Sequence, residues 1–230
     1  MKYRILACLL VCMNVGFAQQ NSASNVDGLK YNFGYIIGYN SSTFRIQRET
    51  GFRNPDSLQS ISSSGASGFN LGMIANLKVT KTLDLRFTPT LAFTVRELGY
   101  KYINQEYNIS KQVESTYVDL PLSIKLKSIR LRNVRFFVIG GIKPSIDVTP
   151  AKRFDDSALD DLDKKVKLTR YGISWEAGFG FDLYYQYFKM SPELKISRGI
   201  TNLLLKEENR FSRPLSGLFI QVFQINLCLE

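Results

Sequence analysis

ESTYVDLPLSIKLK, residues 114–127, carries a clear strand pattern. From Thr116 onward it alternates without a break. Val118, Leu120, Leu122, Ile124 and Leu126 fall on one side of an extended chain, and Tyr117, Asp119, Pro121, Ser123, Lys125 and Lys127 on the other. Strand side chains repeat every second residue, so one face is apolar and the other carries charge. A strand of a soluble sandwich has the same period. The distinction rests on whether the pattern recurs, and on what spacing.

It recurs to make eight strands. Tyr31, Phe33, Tyr35, Ile37 and Tyr39 alternate with Asn32, Gly34, Ile36, Gly38 and Asn40. Phe69, Leu71, Met73, Ala75, Leu77 and Val79 form the second apolar face. In the third, Leu83 to Val95 sets Leu85, Phe87, Pro89, Leu91 and Phe93 against Asp84, Arg86, Thr88, Thr90, Thr94 and Arg96. Residues 114–127 are the fourth. The fifth opposes Val134, Phe136, Val138, Ile142 and Pro144 to Arg135, Phe137, Ile139, Lys143, Ser145 and Asp147. In the sixth, Tyr171, Ile173, Trp175, Phe179 and Phe181 oppose Gly172, Ser174, Glu176, Gly178, Gly180 and Asp182. The seventh places Lys189, Ser191, Glu193, Lys195 and Ser197 opposite Met190, Leu194 and Ile196. Leu215 to Leu229, the eighth, is apolar on both faces at its start, which leaves its register open.

The connections discriminate further. Those at about 80–82, 129–133 and 184–187 are short, and those at about 47–66, 103–113, 149–169 and 201–214 are long. In an up-and-down antiparallel sheet this strict alternation collects every tight turn at one end and every long loop at the other. Bacterial outer-membrane barrels have that asymmetry and an even strand number. They also turn the apolar face outward to lipid, the reverse of a soluble β domain. A soluble lipocalin-like barrel would instead expose the charged face to water. Tyr31, Tyr171, Tyr185 and Tyr187 near strand ends suit a membrane interface, where amphipathic rings collect. The expectation is an all-β chain: an eight-stranded up-and-down antiparallel transmembrane β-barrel with a plugged lumen, located in the cell outer membrane and surrounded by its lipid.

Lys2 and Arg4, the apolar run from Ile5 to Met13, and Gly16-Phe17-Ala18 have the form of a secretory signal peptide cut after Ala18. The expected organisation is residues 1–18 as signal peptide, 19–29 as an N-terminal segment and 30–230 as the barrel. Two of the ten net positive charges and two of the three cysteines, Cys8 and Cys12, lie in the leader. Cys228 remains, which excludes an intramolecular disulfide framework in the exported chain. Export also argues against nucleic acid as the partner of a basic chain, and favours anionic headgroups or acidic cargo.

Eight strands enclose an interior that side chains fill, so a diffusion pore is not expected. The inward charges Asp84, Arg86, Arg96, Asp119, Lys125, Arg135, Lys143, Glu176, Asp182, Glu193 and Lys195, with Lys127, Asp147 and Lys189, read first as a structural network, since an unpaired buried charge costs several kcal/mol. No enzyme activity and no cofactor or metal are expected. The chain has no histidine, which removes the usual general base. Glu176 and Asp182 are the obvious carboxylates for acid–base work, but nothing separates them from salt-bridge partners. DDSALDDLD, residues 155–163, has the composition of a calcium loop without its spacing, central glycine or closing glutamate.

ESTYVDLPLSIKLKS (114–128), VRFFVIGGIKPSIDV (134–148), the stretch from 168 to 204 including SPELK (191–195), and GFNLGMIANLKVTKTLDLRFTPTLAF (68–93) carry a family likeness. Over roughly residues 68–204 the sequence resembles the PorT-type outer-membrane barrels of the type IX secretion system. The chain departs from the pattern at its Leu229-Glu230 ending, where barrel-assembly signals commonly carry an aromatic residue. The resemblance implies an accessory role in exporting proteins with C-terminal sorting domains, contacts with other secretion-machinery proteins, and a part in gliding motility where that occurs. It carries over no catalytic residue and no transport pore. The alternative is a passive, OmpX-like structural or adhesive barrel.

Overall fold

The computed structural model describes residues 29–48, 58–102, 109–149, 169–203 and 215–230. The proposed leader and the acidic run at 155–163 lie outside them. Ten antiparallel segments are present: β1 Tyr31–Arg48, β2 Leu58–Lys78, β3 Leu83–Phe87, β4 Thr90–Tyr102, β5 Ile109–Asp119, β6 Leu122–Lys127, β7 Val134–Asp147, β8 Tyr171–Tyr184, β9 Lys189–Gly199 and β10 Leu215–Leu229. They make eight staves, because β3 with β4 and β5 with β6 each run as one stave with a short break. The ring closes where β1 pairs with β10, from Tyr35 opposite Leu229 to Arg48 opposite Leu215, while its other edge pairs with β2.

The two breaks correct the continuous strands expected over 83–95 and 116–127. Both fall at a proline, Pro89 and Pro121, which has no N–H to give the ladder. The breaks lie side by side, and the backbone around them stays paired. Thr88 N–H donates to the carbonyl of Pro121 at 3.1 Å, Met73 N–H to that of Pro89 at 3.0 Å, and Leu120 N–H to that of Pro144 at 2.9 Å.

The wall also extends further than the apolar pattern does. β2 begins at Leu58 and β5 at Ile109, inside the first two expected long loops, and residues Ser60–Ser64 pair with Glu97–Lys101. Serines and charged residues there give no apolar alternation, so only backbone pairing defines the strand. The extra height belongs to one side. Among the described residues the first half of β5 shares a ladder only with β4, while the start of β10 pairs with β1 and its Leu218 carbonyl accepts from Leu203 N–H at 2.9 Å. At the opposite end the turns are tight. The β6–β7 turn closes through reciprocal bonds between Leu131 and Val134, with Arg132 in the left-handed region at φ 55°.

The barrel is inverted relative to a soluble one. Phe33, Tyr35, Met73, Leu122, Ile124, Leu126, Phe136, Val138, Ile142, Phe179 and Ile225 all face outward and exposed. Every stave keeps the orientation read from its sequence, and β10 resolves with Val222, Gln224, Asn226 and Cys228 inward. Tyr31 and Tyr187 stand exposed at the tight-turn end and Tyr171 at the other, while Tyr185 stacks on Phe188 with centroids 4.7 Å apart. Leu122→Arg, which sets a charge on the lipid face near mid-wall, is expected to cost about 2–4 kcal/mol. Reversible unfolding in lipid vesicles measures it, and a Ser123→Ala control on the inward face loses one hydrogen bond without exposing charge to lipid.

Candidate functional site: the charged lumen

Inside the ring, strand alternation alone aims alternate residues of every stave at one axis. Among the described residues this buries the carboxylates of Asp84, Asp119, Glu176, Asp182, Glu193 and Glu230 with the cations of Arg86, Arg96, Lys125, Lys127, Lys143, Lys189 and Lys195. Lys195 pairs within its own strand with Glu193 at 3.1 Å, and the remaining pairs are of two kinds. Some join neighbouring staves and stitch the wall: Lys127 to Asp84 at 2.6 Å, Lys143 to Asp119 at 3.1 Å, Lys195 to Glu176 at 3.8 Å and Lys189 to Glu230 at 2.5 Å. Others cross the lumen. Arg86 on β3 reaches Glu193 on β9 at 3.1 Å and Glu230, at the end of β10, at 2.5 Å. Lys125 on β6 reaches over β7 to Asp182 on β8 at 2.6 Å.

Neutral groups fill the remaining bonding capacity. Asp182 accepts from the Ser191 hydroxyl at 2.6 Å, Glu176 from the Ser123 hydroxyl at 2.7 Å, and Asp84 from the Asn76 amide at 2.9 Å. Asn70 donates to Asn226 at 2.9 Å across β1. That bond passes over Gly38, where a Cβ would stand 2.1 Å from Asn226 Oδ1 and 2.9 Å from Asn70 Nδ2. Phe137 occupies the centre of the charged layer. Its ring tip lies over Gly180, where a Cβ would approach it to 2.7 Å, and its face receives the Lys125 ammonium at 3.7 Å from the centroid. An ammonium against a ring face is electrostatically favourable and excludes water from one side of the charge.

This arrangement blocks the lumen. Arg86, Lys125, Asp182, Ser191 and Cys228 are 0% exposed, so no water-sized path passes their level. Arg135, expected in the network, lies partly exposed towards the tight-turn end with its guanidinium 5.8 Å from the Tyr184 ring. Asp147 sits at the opposite end, where it accepts from the backbone N–H of Thr149 at 2.9 Å rather than joining the lumen layer. Sequence reasoning missed Glu230, which lies beyond the last residue of the alternating pattern. The available signal was its parity: residue 230 continues the inward series 224, 226, 228.

Glu176 and Asp182, the candidate acid–base carboxylates, each have a cation and a hydroxyl in place. No group of three or more His, Cys, Asp or Glu side chains suited to a metal ion occurs among the described residues.

Residues 17–205 match a family model described as outer membrane protein beta-barrel domain. The chain belongs to this outer membrane β-barrel family. Its location is accordingly the outer membrane. No curated protein sequence matches the chain. Among solved structures, this family member is similar to OprG of Pseudomonas aeruginosa, at 9% identity and TM-score 0.47, covering 89% of this chain and 95% of that one. It is also similar to the Neisserial surface protein A, at 8% identity and TM-score 0.42, covering 86% and 97%. A third is the attachment invasion locus protein Ail of Yersinia pestis, at 11% and TM-score 0.38, covering 87% and 99%.

Two outcomes test the lumen geometry. Lys125→Met leaves Asp182 buried without its cation and is expected to cost about 3–5 kcal/mol, most of it returned by the Lys125→Met/Asp182→Asn double variant. A double-mutant cycle by denaturant unfolding reads the coupling. Gly38→Ala is expected to cost about 1–3 kcal/mol through overpacking, and combining it with Asn226→Ala should recover part of that loss.

Proposed function

We propose that this outer-membrane barrel is a closed, non-catalytic accessory component of the type IX protein secretion machinery, needed for export of proteins with C-terminal sorting domains. The observation that carries the reading is the sealed lumen. A barrel whose middle layer is fully packed passes nothing through itself, so its work lies at its rims, as a membrane anchor for other machinery proteins. The PorT-type resemblance over residues 68–204 supplies the particular machine. Glu176 and Asp182 then serve the barrel's own cohesion, and Glu176→Gln or Asp182→Asn lowers stability without removing an activity.

A second reading, a passive structural or adhesive barrel, is favoured by the tall side of the wall. There β1, β2, β4 and β5 lift backbone-paired strands beyond the expected apolar band towards the long-loop end. Deletion of the gene separates the two. Loss of sorting-domain cargo from the medium, restored by the wild-type gene, supports the secretion role. Normal cargo release with changed surface binding or envelope integrity sinks it in favour of the second. In planar bilayers the purified barrel should add no steady conductance above the bare membrane under either reading.

A further inference from the structure

Of the seven buried lumen cations, Arg96 is the one that no carboxylate among the described residues approaches within ion-pair distance. It is 1% exposed. Its Nε–H donates to Ser42 Oγ at 2.7 Å and Nη1 to the Tyr117 hydroxyl at 3.2 Å, while the rings of Phe44 and Tyr117 each lie 5.0 Å from the guanidinium carbon. The rings cover the charge but take none of its in-plane protons. A guanidinium has five N–H donors, so three remain beyond those two bonds.

Arg96 lies on the wall of a cavity in the half of the lumen nearer the long loops. The cavity holds about 20 Å³ and is lined also by Tyr117, Ser145, Ser174 and Gln224. Lys143 and Asp119 on the same wall neutralise each other at 3.1 Å, which leaves Arg96 as the one cation of the wall with no counter-charge among the described residues. The Tyr117 hydroxyl accepts from Arg96, so its own proton is available to donate, as are those of Ser145 and Ser174. A buried charge without a partner is costly, and a cavity of this size exceeds the roughly 10–15 Å³ that one water needs. At about 20 Å³ it is the size of a water molecule or a small ion.

We propose that this chamber is a binding site for a small monovalent anion of halide size, which is the counter-ion of Arg96. The anion completes the charge balance of the lumen on the side that the carboxylates leave open. The test uses the full-length barrel in detergent, melted in sodium chloride against sodium gluconate at matched ionic strength. Gluconate is too large to enter. The wild type should melt higher in chloride, by roughly 2–4 °C, with a shift that saturates as chloride rises. Arg96→Met should melt at the same temperature in both salts. Equal melting of the wild type in chloride and gluconate overturns the proposal, and means that the two rings and Ser42 suffice for the charge. Should Arg96→Met fail to fold, crystals of the wild type grown in bromide decide it: anomalous scattering beside the Arg96 guanidinium supports the site, and bromide found only on the outer surface overturns it.

Discussion

The hydrocarbon layer offers no hydrogen-bond partner to a peptide group, and the rest of this molecule follows from that constraint. Every N–H and C=O at membrane depth has to be met inside the wall, which for strands means a closed ring. Here the ring closes through β1 and β10. The constraint also explains how Pro89 and Pro121 are tolerated in mid-wall. Their breaks lie against each other, and the N–H of Thr88 meets the carbonyl of Pro121. Two interruptions placed side by side weaken one local patch rather than two separate ladders.

Closing eight strands leaves an axis too narrow for a water column but wide enough for long side chains. Charges then have to find one another. Arg86 and Lys125 do so across the lumen, tying staves that share no backbone ladder. Phe137 settled over Gly180 excludes water from the same layer and gives Lys125 a ring face to rest on. The lumen thus acts as the barrel's core, held by ion pairs where a soluble domain uses apolar packing. The cost of desolvating the ions is offset by geometry: carboxylates such as Asp182 and Glu176 each gain a hydroxyl donor beside their cation.

The two ends of the barrel differ in build. One end closes in tight turns, as between Leu131 and Val134. The other end rises asymmetrically, carried by β1, β2, β4 and β5 and the start of β10. The lumen is divided as well, into a sealed charged layer and a small chamber beside Arg96.

Period, face and loop asymmetry are legible in the residues alone, because in a strand the side a residue faces depends only on its parity. That is why residues 114–127 alone put Asp119 and Lys125 on one face, and the recurrence of the pattern with alternating loop lengths turned that face inward. Parity contains no distance around the ring, however. That Arg86 meets Glu193, that Lys125 passes over β7 to Asp182, and that Arg96 meets no carboxylate among the described residues all depend on how far the register slides as the sheet closes. The extent of β2 and β5 beyond the apolar band was equally hidden, since backbone hydrogen bonds hold those strands and leave no mark in side-chain hydropathy. Glu230 became part of the lumen only once β10 closed against β1, bringing the end of one stave beside Arg86 on another.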